Sequence, residues 1–233
     1  MLSRFSSFLA SGRSSPLTAA QSSQAYFLVA LALLMTAVGV FVGAVFALPM
    51  LTSGWMFVLF IAEFALILSA GVWSRNPPLN YILFLAFPFL SGLTITPFLL
   101  SVLAGYVNGA SILLNASIAT TLLTLAAGLF ARTTTMNLSA TMGRFLMQAL
   151  IGLIVFAILQ LFIPSLRGTS FEVVVSGIGI VIFSLFLAVD MQRLAASEKG
   201  SSPFLLALSL YLDIFNLFLY VVRFMLAMSG NRR

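Results

Sequence analysis

Three long stretches of the chain carry no charged side chain: Ser14 to Ala62, Asn76 to Ala131 and Phe145 to Leu166. A helix that crosses a bilayer needs about 20 mostly apolar residues. Inside lipid, only helices and closed barrels satisfy every backbone N–H and C=O. Such stretches point to a bundle of membrane helices. Composition agrees, since 7% of the 233 residues are charged against about 25% in an ordinary soluble domain.

Turn formers and helix breakers cut these stretches into seven expected spans: Tyr26–Leu48, Thr52–Trp73, Leu79–Leu103, Ala110–Ala131, Gly143–Ile163, Ser170–Leu194 and Pro203–Ala227. The breaks fall at Pro49, Asn76-Pro77-Pro78, Asn108-Gly109, Thr133–Ser139, Pro164 and Gly200–Pro203, each a place where a helix ends readily. The expected fold is an all-α membrane protein, one seven-transmembrane-helix bundle over residues 26–229. Residues 1–25 form a disordered cytoplasmic tail and residues 230–233 a short C-terminal one. The N-terminal tail is rich in Ser, Ala and Gln and has no short apolar stretch with a cleavage site, so it reads as a retained tail rather than a removable signal.

The net charge of +6 reflects topology rather than nucleic-acid binding, because the arginines lie at span ends. Seven spans put Arg4, Arg13, Arg75, Arg132, Arg144, Arg193 and Lys199 on one side and Arg167, Arg223, Arg232 and Arg233 on the other. The positive-inside rule assigns the richer side, with the N-terminus, to the cytoplasm. A re-entrant last segment would bring Arg232 and Arg233 to that side as well, so the span count is open at this point. With no Cys and no His, thiol chemistry is excluded and any proton sensing near neutral pH falls to a carboxylate. Without a phosphate-binding loop or a nucleophile–base arrangement, no enzyme is expected.

The functional signal lies in the last two spans. Asp190 precedes Gly200 by ten residues and Asp213 follows Pro203 by ten, so at 1.5 Å per residue both carboxylates lie about 15 Å from the turn. Gly200 suits a helix end, and Ser202 and Pro203 suit an N-cap and a first helical position. Spacing alone leaves open whether the carboxylates face each other. Ser209, Asp213, Asn216, Tyr220 and Arg223 recur at helical spacing and form one polar stripe. A lipid-facing Asp costs about 2.5–3.5 kcal/mol, so the stripe is expected to turn inward, with Ser209 and Tyr220 as hydrogen-bond glue. Two carboxylates close together in a poor dielectric cannot both ionise cheaply. They can share a proton, bind a hard cation such as calcium, or pair with a buried arginine, for which Arg75 is the best placed. Glu63, with no other charge within eleven residues on either side, can complete an acidic cluster or bond a neighbouring helix. Glu172 lies at a helix end and is expected to be solvated. Gly39 and Gly43 form a G-x-x-x-G whose expected role is close helix packing.

The segment "LSLYLDIFNLFLYVVRF", Leu208 to Phe224, resembles the C-terminal signature of the transmembrane Bax inhibitor motif family, which has bacterial members. "SGLTITPFLL" (Ser91–Leu100), "ARTTTMNLSATMGRFL" (Ala131–Leu146) and "LAVDMQRL" (Leu187–Leu194) are similar to its third-helix segment, the loop after its fourth helix and its sixth-helix acidic motif. The resemblance implies a seven-helix bundle with the last helix central, Asp190 and Asp213 as a di-aspartyl pH sensor, and Arg75 as the latch on that pair. It also implies a pH-sensitive calcium leak and, from some bacterial relatives, association with a membrane-anchored AAA+ protease. Val189 and Met191 stand where the family commonly has Tyr and Thr. Met136 and Asn137 stand where its loop usually carries charge.

The leading expectation is a cation leak of the bacterial inner membrane, with calcium as the ion, Asp190 and Asp213 as gate, Arg75 as latch and Glu63 on the path. The alternative is a regulator that binds other membrane proteins, such as an AAA+ protease, through the tail before Tyr26. A proton-coupled transporter would instead accumulate its ion uphill.

Overall fold

The computed structural model describes residues 19–196 and 202–230. Most of the expected tail and the Gly200 helix end lie outside the described residues, as do Lys199 and the arginines at 4, 13, 232 and 233. The described residues are helical and contain no β-strand. In chain order the helices are α1 (Ala19–Val42), α2 (Leu48–Leu51), α3 (Trp55–Leu68), α4 (Ala70–Trp73), α5 (Leu79–Gly105), α6 (Gly109–Thr133), α7 (Leu138–Phe162), α8 (Thr169–Ala196) and α9 (Pro203–Ser229). Among the described residues, six stretches are long and apolar enough to cross a membrane: Ser22–Leu51 and one in each of the helices α5 to α9.

Two expected boundaries shift. Residues 19–25, assigned to the tail, are already helical in α1, and Ala25 is fully buried. Pro49 does not end the first span. A π-helical turn, Gly43–Ala47, joins α1 to α2, and Pro49 sits in the first turn of α2. A proline there needs no N–H donor, and the wider π turn takes up the break in the hydrogen-bond ladder.

The expected second span, Thr52–Trp73, is two helices. The 14 residues of α3 rise about 21 Å, less than the ~30 Å hydrocarbon layer. Ser69 interrupts the helix, donating its hydroxyl to Ala65 O at 2.7 Å. The Leu66 carbonyl is taken up by the Trp73 indole N–H at 2.9 Å. The interruption therefore leaves that carbonyl satisfied. Ser202 occupies the N-cap position of α9 but does not cap it. Its hydroxyl donates to Ser74 O at 3.0 Å, which ties the end of the α3–α4 segment to the start of the last helix.

Packing decides which faces meet. The pair α8–α9 forms a hairpin, α9 also packs on α1, α5 and α6, and α1 lies along α5. The α1–α5 crossing is backbone to backbone. A Cβ on Gly39 would lie 2.2 Å from Phe89 O, and one on Gly92 2.2 Å from Thr36 O. The expected close-packing role of Gly39 is thus met, with Gly92 as its partner. Gly43 packs on the Thr96 side chain. The core gathers Trp73, Phe84, Leu187, Leu194, Tyr211, Leu217 and Val222. Outside it stand Phe41, Phe57, Phe64, Leu122, Phe145 and Phe162, each at least half exposed. An apolar exterior of this extent is suited to lipid rather than water.

Candidate functional site: a carboxylate pair between the last two helices

Asp190 on α8 and Asp213 on α9 are both buried, with 6% and 7% of their surface exposed. They lie within electrostatic reach of each other. Ser209, one turn before Asp213 on α9, donates to Asp190, so Asp190 faces the stripe of α9 that carries Asp213. Asp190 has partners on both oxygens. Arg193 Nη1 donates to Oδ1 at 3.1 Å, and the Ser209 hydroxyl donates to Oδ2. Asp213 is less well supplied, because its buried Oδ2 has no hydrogen-bond partner among the described residues. The pair thus combines one carboxylate held by a cation and a hydroxyl with one that retains an unused acceptor.

The arginine is not the one expected. Arg75 is exposed and joins neither ion pair found among the described residues. Arg193 follows Asp190 by three residues, one turn on the same helix face, and so reaches it without any tertiary rearrangement. The "DMQR" spacing, an acid and a base three residues apart, carries this pairing in the sequence itself. Arg193 also donates from Nε and Nη2 to Ser139 Oγ at 3.1 and 3.0 Å. Beside it, Gln192 accepts from Leu138 N at 2.8 Å and donates to Met136 O at 2.8 Å. The end of α8 therefore clips the α6–α7 loop and the first turn of α7: Arg193 links Asp190 to Ser139, and the neighbouring Gln192 holds the loop at Met136. Asn137 caps α7, accepting from Ala140 N at 3.1 Å, which starts that helix earlier than the expected Gly143.

Glu63 lies elsewhere. It accepts from Thr94 Oγ1 at 2.8 Å, so it bonds a neighbouring helix, the second of the two roles open to it. Near it, Tyr211 shares a 2.8 Å hydrogen bond with Thr36. The described residues contain no group of three or more acidic or histidine side chains that could hold a metal ion, and a three-carboxylate cluster with Glu63 is not formed.

The polar stripe of α9 divides. Ser209 serves Asp190. Asn216 Nδ2 donates to its own helix at Leu212 O, 2.8 Å. Tyr220 stacks on Phe183 with ring centroids 5.5 Å apart, and Arg223 lies 5.9 Å over the Tyr220 ring. Arg223 also approaches Glu172 at 3.8 Å. Glu172 is partly buried and paired rather than freely solvated, because the end of α9 brings Arg223 beside it.

A model of the family described as inhibitor of apoptosis-promoting Bax1, Bax1-I, matches residues 20–231. An uncharacterized protein of Campylobacter jejuni is 32% identical over 89% of this chain and 88% of its own length. An uncharacterized protein of Helicobacter pylori is 34% identical over 82% and 79%. The inner membrane protein YbhL of Escherichia coli is 29% identical over 75% and 74%. The family match runs from α1 past the end of α9 and takes in the hairpin with both carboxylates. This chain is a membrane protein that belongs to the Bax1-I, or Bax inhibitor, family.

Proposed function

We propose that the protein is a passive, pH-sensitive leak for cations, calcium above all, gated at the Asp190–Asp213 pair. The observation that carries this reading is the buried pairing of the two carboxylates with an unused acceptor on Asp213. A buried carboxylate is costly unless it is paired, protonated or bound to a cation. Asp190 has Arg193; Asp213 is left to take up a proton or a cation. A change of one proton alters the charge at this point in the bundle, and Arg193 transmits it to Ser139 on α7. Arg193 takes the latch role in this scheme.

The test is calcium flux into proteoliposomes over a pH series. Wild-type flux is expected to vary with pH, and Asp213→Asn to flatten that dependence while flux persists. Wild-type flux and pH response in both Asp190→Asn and Asp213→Asn would remove the pair from the mechanism.

The accompanying topology is seven passes with the last helix central and the N-terminus cytoplasmic in a bacterial inner membrane. The arginine distribution, the packing of α9 on four other helices and the Ser202–Ser74 bond support it. The chain has no cysteine, so single Cys substitutions report sidedness directly. Asn76→Cys and Asn137→Cys are expected to react with an impermeant maleimide only from the cytoplasm, and Ser53→Cys and Ser165→Cys only from outside. Labelling of Ser53→Cys and Asn76→Cys from one side would mean that the α3–α4 segment does not cross.

A further inference from the structure

At the end of the bundle that holds Arg193, a cavity of about 790 Å³ opens between α1 and α6 over the floor of α8. Its volume is within the range of about 300–1,000 Å³ typical of small-molecule sites. Along α6 it runs from Arg132 to Thr124, eight residues or about 12 Å. The walls between are apolar. Leu125 and Leu129 are each 65% exposed, and Met191 lies below them. Gly128 keeps the cleft open: a Cβ there would come 2.9 Å from Met191 Sδ. Two polar features mark the ends. Arg132 is exposed and joins no ion pair among the described residues. At the inner end, the buried Thr124 hydroxyl has no hydrogen-bond partner among the described residues.

We infer that this groove holds one anionic phospholipid, its phosphate on Arg132 and an acyl chain along Leu129 and Leu125 toward the bilayer interior. An apolar channel open to lipid with a single cation at its interfacial end matches a lipid in both charge and polarity gradient. Basic pockets between membrane helices on the cytoplasmic side commonly take anionic headgroups. The rival occupant is the chain's own segment before α1, because Ser22 near the start of that helix lines the cavity. That segment has Arg4 and Arg13 and no acidic residue. It cannot neutralise Arg132 and adds to the attraction for an anion. The site is separate from the carboxylate pair and holds whether or not the protein conducts ions.

The experiment is thermal unfolding of the full-length protein in neutral detergent, titrated with dioleoylphosphatidylglycerol or dioleoylphosphatidylcholine. The anionic lipid is expected to raise the midpoint of the wild type by several degrees more than the zwitterionic one. Arg132→Gln is expected to lose that preference, while Arg144→Gln, at the same end and also exposed, keeps it. Leu129→Trp, which narrows the groove without touching the charge, is expected to reduce the response to the anionic lipid. An equal loss in Arg132→Gln and Arg144→Gln would mean diffuse surface attraction and overturn the site. So would a preference that survives Arg132→Gln but disappears in the Arg4→Gln/Arg13→Gln double variant.

Discussion

Gly92→Leu is expected to yield little monodisperse protein in detergent and to lower the unfolding midpoint of what remains by more than any single surface change. The first carbon of the new side chain would fall 2.2 Å from Thr36 O and 2.9 Å from Gly39 Cα. Both obstacles are backbone, so no rotamer change relieves them. The helices α1 and α5 have to move apart. Overpacking usually costs about 1–3 kcal/mol where side chains can yield, and here the cost is expected at or above the top of that range. Separation would also pull at the Thr36–Tyr211 bond that ties α1 to the last helix. Gly71→Leu is the control, because nothing lies within 4 Å of a Cβ at Gly71. Size-exclusion profiles and unfolding of the two variants side by side decide the matter. Wild-type behaviour of Gly92→Leu would show that the crossing is looser than described.

Arg193→Gln is the second large effect, and it separates this arginine from Arg75. Removing one partner of a buried ion pair costs about 3–5 kcal/mol because the other charge is left uncompensated. The Arg193 side chain is 50% exposed, so solvent screens part of the interaction and about 1–2 kcal/mol is the expected loss. The three hydrogen bonds of its guanidinium to Asp190 and Ser139 go together. Amide hydrogen exchange should therefore speed up in the first turn of α7, around residues 138–142. Ser139→Ala keeps the Asp190 pair and is expected to show a smaller change confined to that turn. Arg75→Gln, at an exposed position outside the ion pairs, is expected to leave stability and exchange unchanged. A larger effect from Arg75 than from Arg193 would restore Arg75 as the latch.

The sequence made the lipid-facing architecture plain, since charge-free runs, once longer than a bilayer is thick, have few other outcomes. Helices α5, α6, α8 and α9 lie within two residues of their expected ends. The failures share a cause. Pro49 and Ser69 are local signals whose meaning depends on what can absorb the disturbance. At Pro49 a π turn does so and the helix continues; at Ser69 the helix is interrupted, and the indole of Trp73 donates to the Leu66 carbonyl. The same dependence governs the site. Asp190 and Asp213 are both buried where their two helices pack on each other. Their partners were legible only where they lie one turn away, as Arg193 does. Ser139, Gln192, Thr36 and Thr94 reach their partners across helix interfaces, and pattern along one helix does not say which face of which neighbour it meets.

From the sequence alone came the solvent, the helical class, the family resemblance and the pair of acidic residues in the hairpin, all consequences of hydropathy and spacing along a single chain. The tertiary structure decided that Arg193 rather than Arg75 holds Asp190, that Glu63 stands apart on Thr94, that Arg223 meets Glu172, and that a cleft ends at Arg132. These are matters of distance between helices. Such distances are set by how close two backbones can approach, as at Gly39 and Gly92, and by which polar groups must find partners once water is excluded.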